Sequence, residues 1–269
     1  MNCYKLFLTA VTTVVCFFFS NATPGQHLAL PNAYAHNDYW HRRPLLDALE
    51  NGFSYVEADI FKVRNKLVVA HTVPFFKNNR TLENLYLEPL RRHCSNNNAA
   101  LLTLMIDIKS GGKRALKLLL PLLEKYKDIL SSYEGGQVQR RQVTVIITGH
   151  KPIEDIRGMQ QRFIFLDEDL RQTGTDTATC TYITASCRYS SLLSWKGEGP
   201  MPDAEKQKLL AFVQKAHDLG RKVRLWASPE NEQVWAALLS CNVDLINTDK
   251  LTALRNFLLN EQGMFTKAD

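Results

Sequence analysis

Several protein classes are excluded by what this 269-residue chain lacks. No G-x-G-x-x-G turn is present, so a doubly wound nucleotide-binding sheet is without its usual first signal. No C-x2-C pair is present, which removes the common structural zinc sites. Ser186 and Ser190 stand in no nucleophile-elbow context. No linker, internal repeat or low-complexity stretch divides the chain, and Asn96-Asn97-Asn98 reads as a polar loop. Basic residues come as separate pairs, Arg42-Arg43, Arg91-Arg92 and Arg140-Arg141, never as one run. That scatter argues against nucleic acid as a partner. Beyond the first two dozen residues, no apolar run is long enough to span a bilayer.

The one long apolar run, Leu6 to Phe19, follows a single charge, Lys5, and precedes Ser20-Asn21-Ala22. This is the pattern of a secretory signal over residues 1–22, cleaved after Ala22. The run is shorter than the ~20 residues a permanent anchor needs. A lipidated form through Cys16 is disfavoured, because Val15 stands where a small residue belongs. The expected product is a secreted or periplasmic protein over residues 23–269. Its formal charge falls from +6 to +5 with the loss of Lys5. A basic surface suits phosphate-bearing partners and allows peripheral contact with anionic lipid. Cys94, Cys180, Cys187 and Cys241 remain. Export permits disulfides without requiring them, and both paired and free thiols stay open. The sequence leaves the oligomeric state open as well.

From Pro31 onward short apolar strands alternate with helical stretches. Strands are expected at Asn32–Asn37, Ser54–Val63, Lys66–Thr72, Leu101–Lys109, Gln142–Gly149, Arg162–Asp167, Thr181–Ser186, Lys222–Ala227 and Val243–Asn247. Helices are expected at Pro44–Asn51, Thr81–His93, Lys113–Ser132, Lys151–Met159, Asp203–Leu219, Asn231–Ser240 and Leu251–Leu259. Only a few residues, around Arg64-Asn65, separate the second and third strands, too little for a crossover helix, so they form a hairpin. Counted once, the hairpin leaves eight strands: an α/β fold, the TIM (β/α)8 barrel, as one domain of ordinary length. A doubly wound sheet is the runner-up.

In such barrels chemistry lies at the C-terminal strand ends. Residues two apart on a strand share a face, so Glu57 and Asp59 point together. If that face is the interior, their paired charges call for a cation; the alternative turns both to solvent. Asp107 ends the next strand and shares a face with Lys109, which suits an anionic oxygen. Asn37 adds a neutral oxygen. Three carboxylates and an amide fit a hard ion, Ca2+ or Mg2+. His36 ends the first strand and His71 the returning hairpin arm. A turn centred on Asn65 sets His71 opposite Asp59 and on its face; a two-residue turn sets it opposite Ala58, facing away; the first register is the one expected, because it makes chemical sense. Two histidines beside such a cluster suit phosphodiester cleavage, one taking a proton and one giving it. Trp226 reads as a pocket wall or as plain core. Asp249 reads as a cap of the last helix, and Asp167, Glu168 and Asp169 as a solvated loop.

Ala35-His36, Glu57-x-Asp59, Ala70-His71 and Ile106-Asp107-Ile108-Lys109 together resemble the glycerophosphodiester phosphodiesterase and phosphatidylinositol phospholipase C superfamily. Val223-Arg224-Leu225-Trp226 and Val243 to Asp249 resemble its last two strands. The resemblance implies a TIM barrel, His36 and His71 as acid–base pair, and Glu57, Asp59 and Asp107 as metal ligands. It also implies Lys109 on the phosphate of a small-molecule or lipid-headgroup diester. Asn37 replaces the arginine usual in the phosphodiesterase branch and resembles the calcium-binding asparagine of eukaryotic phospholipases C, which sets Ca2+ ahead of Mg2+. Asp107 replaces a common Glu, as in the spider-venom phospholipase D branch. The His-Asn-Asp-Tyr opening most resembles the branch of the yeast "altered inheritance of mitochondria" proteins. Two alternatives remain: a metal-independent phosphatidylinositol phospholipase C-type lyase, and a non-catalytic exported binding barrel.

Overall fold

The computed structural model describes residues 29–72, 79–95, 100–174 and 180–265. The expected signal at residues 1–22, with Cys16, lies outside them. The strands are β1 (Leu30–Ala35), β2 (Phe53–Val63), β3 (Lys66–Val69), β4 (Leu102–Ile108), β5 (Ser132–Glu134), β6 (Gln137–Gln139), β7 (Val143–Gly149), β8 (Gln161–Arg162), β9 (Phe165–Asp169), β10 (Tyr182–Arg188), β11 (Lys222–Trp226) and β12 (Ile246–Thr248). The α-helices are α1 (Leu46–Glu50), α2 (Glu88–Cys94), α3 (Gly112–Glu124), α4 (Ile153–Arg157), α5 (Asp203–His217), α6 (Glu232–Ser240) and α7 (Leu251–Phe265).

Eight parallel strands run in the order β12-β1-β2-β4-β7-β9-β10-β11, and a single bridge between Arg224 and Leu245 joins the ends. The result is the nearly closed TIM barrel the strand count implied. Alternation along each strand divides two environments. Val56, Ala58 and Ile60 of β2 and Leu104, Ile106 and Ile108 of β4 pack outward into the main core under the helices. Tyr34, Met105, Ile146, Phe165 and Leu245 form a separate apolar layer inside the barrel.

That inner layer is sealed by a feature the sequence reading missed. Helix α3 ends at Glu124, well short of the expected Ser132. The chain then forms an antiparallel β5–β6 hairpin joined by β8. Gly135 and Gly136, both at positive φ, make the turn. Tyr133 and Val138 pack onto the inner layer, and the Arg162 guanidinium lies 3.8 Å from the centre of the Tyr133 ring. The small sheet plugs the N-terminal end of the barrel.

Cys94, Cys180, Cys187 and Cys241 are free thiols. No helix among the described residues is long and apolar enough to cross a membrane.

Candidate active site

The interior faces of β2, β4 and β11 converge above the apolar layer. Glu57 is buried, and its Oε2 accepts from the Tyr34 hydroxyl at 2.5 Å and Arg224 Nη1 at 2.7 Å. Arg224, from strand Val223-Arg224-Leu225-Trp226, is itself buried; it also donates to Asn247 Oδ1 and covers the Tyr34 ring. Burial works against ionisation of Glu57. The Arg224 charge, His36 and the Tyr34 hydroxyl overcome it and hold the carboxyl below its usual range. Asp59 goes the other way: burial and the neighbouring Glu57 charge push it up, against the pull of Lys109 and Tyr39.

One turn of pleat higher, Lys109 Nζ spans Asp59 Oδ2 at 2.8 Å and Asp107 Oδ2 at 2.7 Å. The β2–β4 register sets Asp59 directly beside Asp107. Gly149, at φ 71°, leaves the room Asp107 needs: a Cβ there would lie 2.0 Å from Asp107 Oδ1. Glu57, Asp59 and Asp107 each present an oxygen within 4.8 Å of the others'. Asp59 Oδ1 is buried with no hydrogen-bond partner among the described residues. An orphaned anionic oxygen is costly unless a cation meets it. These residues therefore fit a hard divalent ion.

At the mouth, His36 Nδ1 lies 2.6 Å from Asp249 Oδ1. Burial tends to lower the His36 pKa, but the Asp249 contact and the Glu57 charge bring it above its ordinary value. Asn37 sits in the left-handed region (φ 48°, ψ 32°), where asparagine is among the better-tolerated residues. Its Nδ2 reaches both Asp249 oxygens, and its Oδ1 accepts from the Tyr39 hydroxyl at 2.5 Å. The Tyr39 oxygen also lies 2.7 Å from Asp59 Oδ2 and 3.0 Å from His71 Nδ1. One hydrogen-bonded chain thus runs from Asp249 through His36 and Asn37 to Tyr39, His71 and Asp59.

The structure brings together His36, Asn37, Glu57, Asp59, His71, Asp107 and Lys109, and places Trp226 on the rim, 39% exposed. Trp226 borders a cavity of about 370 Å3 with Thr148, Lys151, Asp167, Ser186 and Arg188. It is not a core residue.

Three expectations are corrected. The β2–β3 turn has two residues, pairing Val63 with Lys66 and Ile60 with Val69, which is the register that faces His71 away. The strand stops at Val69, however, so the pleat no longer dictates direction, and His71 turns in to Asp59 Oδ2 at 3.1 Å. Asp167 is no loop residue: β9 runs to Asp169, and Asp167 is buried inside the barrel, accepting from Thr184 and Ser186. Glu168 is buried against Arg221. Asp249 partners His36 instead of merely capping α7. Tyr34, Tyr39, Gly149 and Arg224 were not singled out. Arg224 carried a usable signal, since its alternation places it on the face opposite Val223 and Leu225.

The AIM6-like phosphodiesterase domain model matches residues 26–102 and 94–167. "Altered inheritance of mitochondria protein 6" of Eremothecium gossypii is 30% identical over 88% of this chain and 74% of its own length. The protein of that name from Saccharomyces cerevisiae S288c is 28% identical over 86% of this chain and 68% of its own. A glycerophosphodiester phosphodiesterase of Parabacteroides distasonis shares the fold at TM-score 0.59 and 16% identity, covering 86% of this chain and 98% of that one. The chain therefore belongs to the AIM6-like phosphodiesterase domain family and is a phosphoric diester hydrolase.

Proposed function

We propose that the protein cleaves the phosphodiester of a small molecule or lipid headgroup with the help of one divalent cation held by Glu57, Asp59 and Asp107. The observation that carries the reading is the acidic trio, with the unpartnered Asp59 Oδ1 buried among groups that reach both histidines. The resemblance adds Asn37 to the same ligand set. Such an ion offsets negative charge that develops on the phosphoryl oxygens. The resemblance of Asn37 to a calcium-binding asparagine sets Ca2+ ahead of Mg2+. His36 and His71 move the protons, one from the attacking hydroxyl of water or substrate and one to the leaving oxygen. Lys109 has a third ammonium hydrogen beyond the two directed at Asp59 and Asp107, and this suits a phosphoryl oxygen. Trp226, which borders the cavity beside Asp167 and Arg188, is the wall proposed for the substrate. Export rests on the N-terminal leader pattern alone.

The test is hydrolysis of bis(p-nitrophenyl) phosphate and of glycerophosphodiesters, with and without chelator. Chelator should abolish activity, and Ca2+ or Mg2+ should restore it. His36→Ala and His71→Ala should fold and be inactive; full activity in either sinks the acid–base assignment. A second reading has one observation behind it: the Lys109 ammonium already bridges two of the acids, as the cation of a metal-independent lyase would. Chelator-resistant turnover selects that reading.

A further inference from the structure

Tyr39 sits among three polar atoms and brings one hydrogen. Asn37 Oδ1 at 2.5 Å and Asp59 Oδ2 at 2.7 Å are both acceptors. The Asn37 amide is oriented by its other end, where Nδ2 faces the two Asp249 oxygens at 3.3 and 3.4 Å. The phenol hydrogen is therefore directed at this acceptor pair. What the phenol oxygen turns towards His71 is a lone pair. His71 Nδ1 lies 3.0 Å from that oxygen and 3.1 Å from Asp59 Oδ2. A bare Nδ1 would face two lone pairs; an Nδ1–H answers both. A neutral imidazole carries one hydrogen, so Nε2 is then the nitrogen free to accept a proton.

We propose that Tyr39 is a positioning residue that holds His71 as its Nδ1–H tautomer and so presents Nε2 as the proton acceptor. The inference rests on the reading above in which His71 moves a proton. His36 needs no such device, because Asp249 meets its Nδ1 directly at 2.6 Å. Among the described residues His71 has one carboxylate, shared with Lys109, and the phenol supplies the second contact. The Trp40 ring, 5.1 Å from the imidazole centre, limits its rotation. A free histidine side chain in water favours the Nε2–H form, so the site must actively reverse that preference.

The experiment compares wild type with Tyr39→Phe, which removes one oxygen and keeps the ring. Long-range proton–nitrogen correlation spectra of the whole protein, with His71 assigned by loss of its signals in His71→Gln, report the tautomer without turnover. Wild type should show a pyrrole-type Nδ1 and a pyridine-type Nε2. Tyr39→Phe should shift population to the Nε2–H form. Its kcat should fall roughly tenfold or more, with KM changing by less than about twofold. An Nε2–H His71 in wild type, or an unchanged tautomer in Tyr39→Phe, overturns the proposal. A shifted tautomer with full kcat overturns its catalytic use. A wild-type Nδ1–H form in a protein inactive on every diester instead refutes the functional reading and leaves the tautomer assignment standing.

Discussion

Arg224→Met isolates the ion pair beneath the acidic cluster. Both partners are almost wholly buried, with side chains 5% and 4% exposed at a separation of 2.7 Å. Methionine retains much of the packing over Tyr34 but strands the Glu57 charge with the Tyr34 hydroxyl as its remaining hydrogen-bond partner among the described residues. Removing one member of a buried pair costs about 3–5 kcal/mol. At about 2–4 °C per kcal/mol for a domain of this size, the melting temperature should fall by about 6–20 °C. Glu57→Gln added to Arg224→Met removes the stranded charge and should recover about 2 kcal/mol. Glu57 is held below its ordinary value, so the pair's contribution is complete above the unfolded-state pKa and is lost as pH falls through the folded one. The gap between wild type and Arg224→Met should therefore narrow on acidification below about pH 4. Urea and thermal unfolding followed by circular dichroism in chelator measure all of this. An Arg224→Met protein within about 1 kcal/mol of wild type, or a double variant no more stable than the single one, refutes the argument.

Three further outcomes follow from the geometry. Gly149→Ala sets a methyl group against Asp107 Oδ1 and the Ile108 carbonyl at a positive φ, so it should lower the melting temperature and weaken Ca2+ or Mg2+ binding by about 10–100-fold in calorimetry; unchanged affinity removes Asp107 from the ligand set. Asp249→Asn takes away the carboxylate that raises the His36 pKa, so the His36 limb of the pH–rate profile should move to lower pH; an unmoved limb assigns that limb elsewhere. Asp59→Asn removes the charge at the orphaned oxygen and should abolish the rise in melting temperature that the ion gives wild type.

The barrel was legible because parallel strands buried on one face by helices read as apolar runs, as in Leu102 to Ile108, and because Gly52 and Gly220 punctuate the helices. The acidic trio was legible because a period of two needs no tertiary knowledge. His71 was found for the wrong reason. Pairing rules were carried past Val69, where the strand has ended and local contacts decide direction. The contacts of Tyr39 with Asp59 and of Asp249 with His36 were illegible because those partners lie 20 or more residues away, across strands whose register no single sequence reveals. Asp167 was misread because a charged run usually means solvent. Here the barrel interior supplies three hydroxyls, from Thr148, Thr184 and Ser186, to receive one carboxylate. The β5–β6 hairpin was overlooked although Gly135-Gly136 announced it, because the leucine-rich pattern before it was extended too far.

The plug formed by Tyr133 and Val138 makes the barrel a cul-de-sac. Under the proposed function, substrate, water and both products would share the mouth where His36 and His71 stand, because the floor is closed. Departure of the alcohol and of the phosphorylated product is then sequential traffic through one opening.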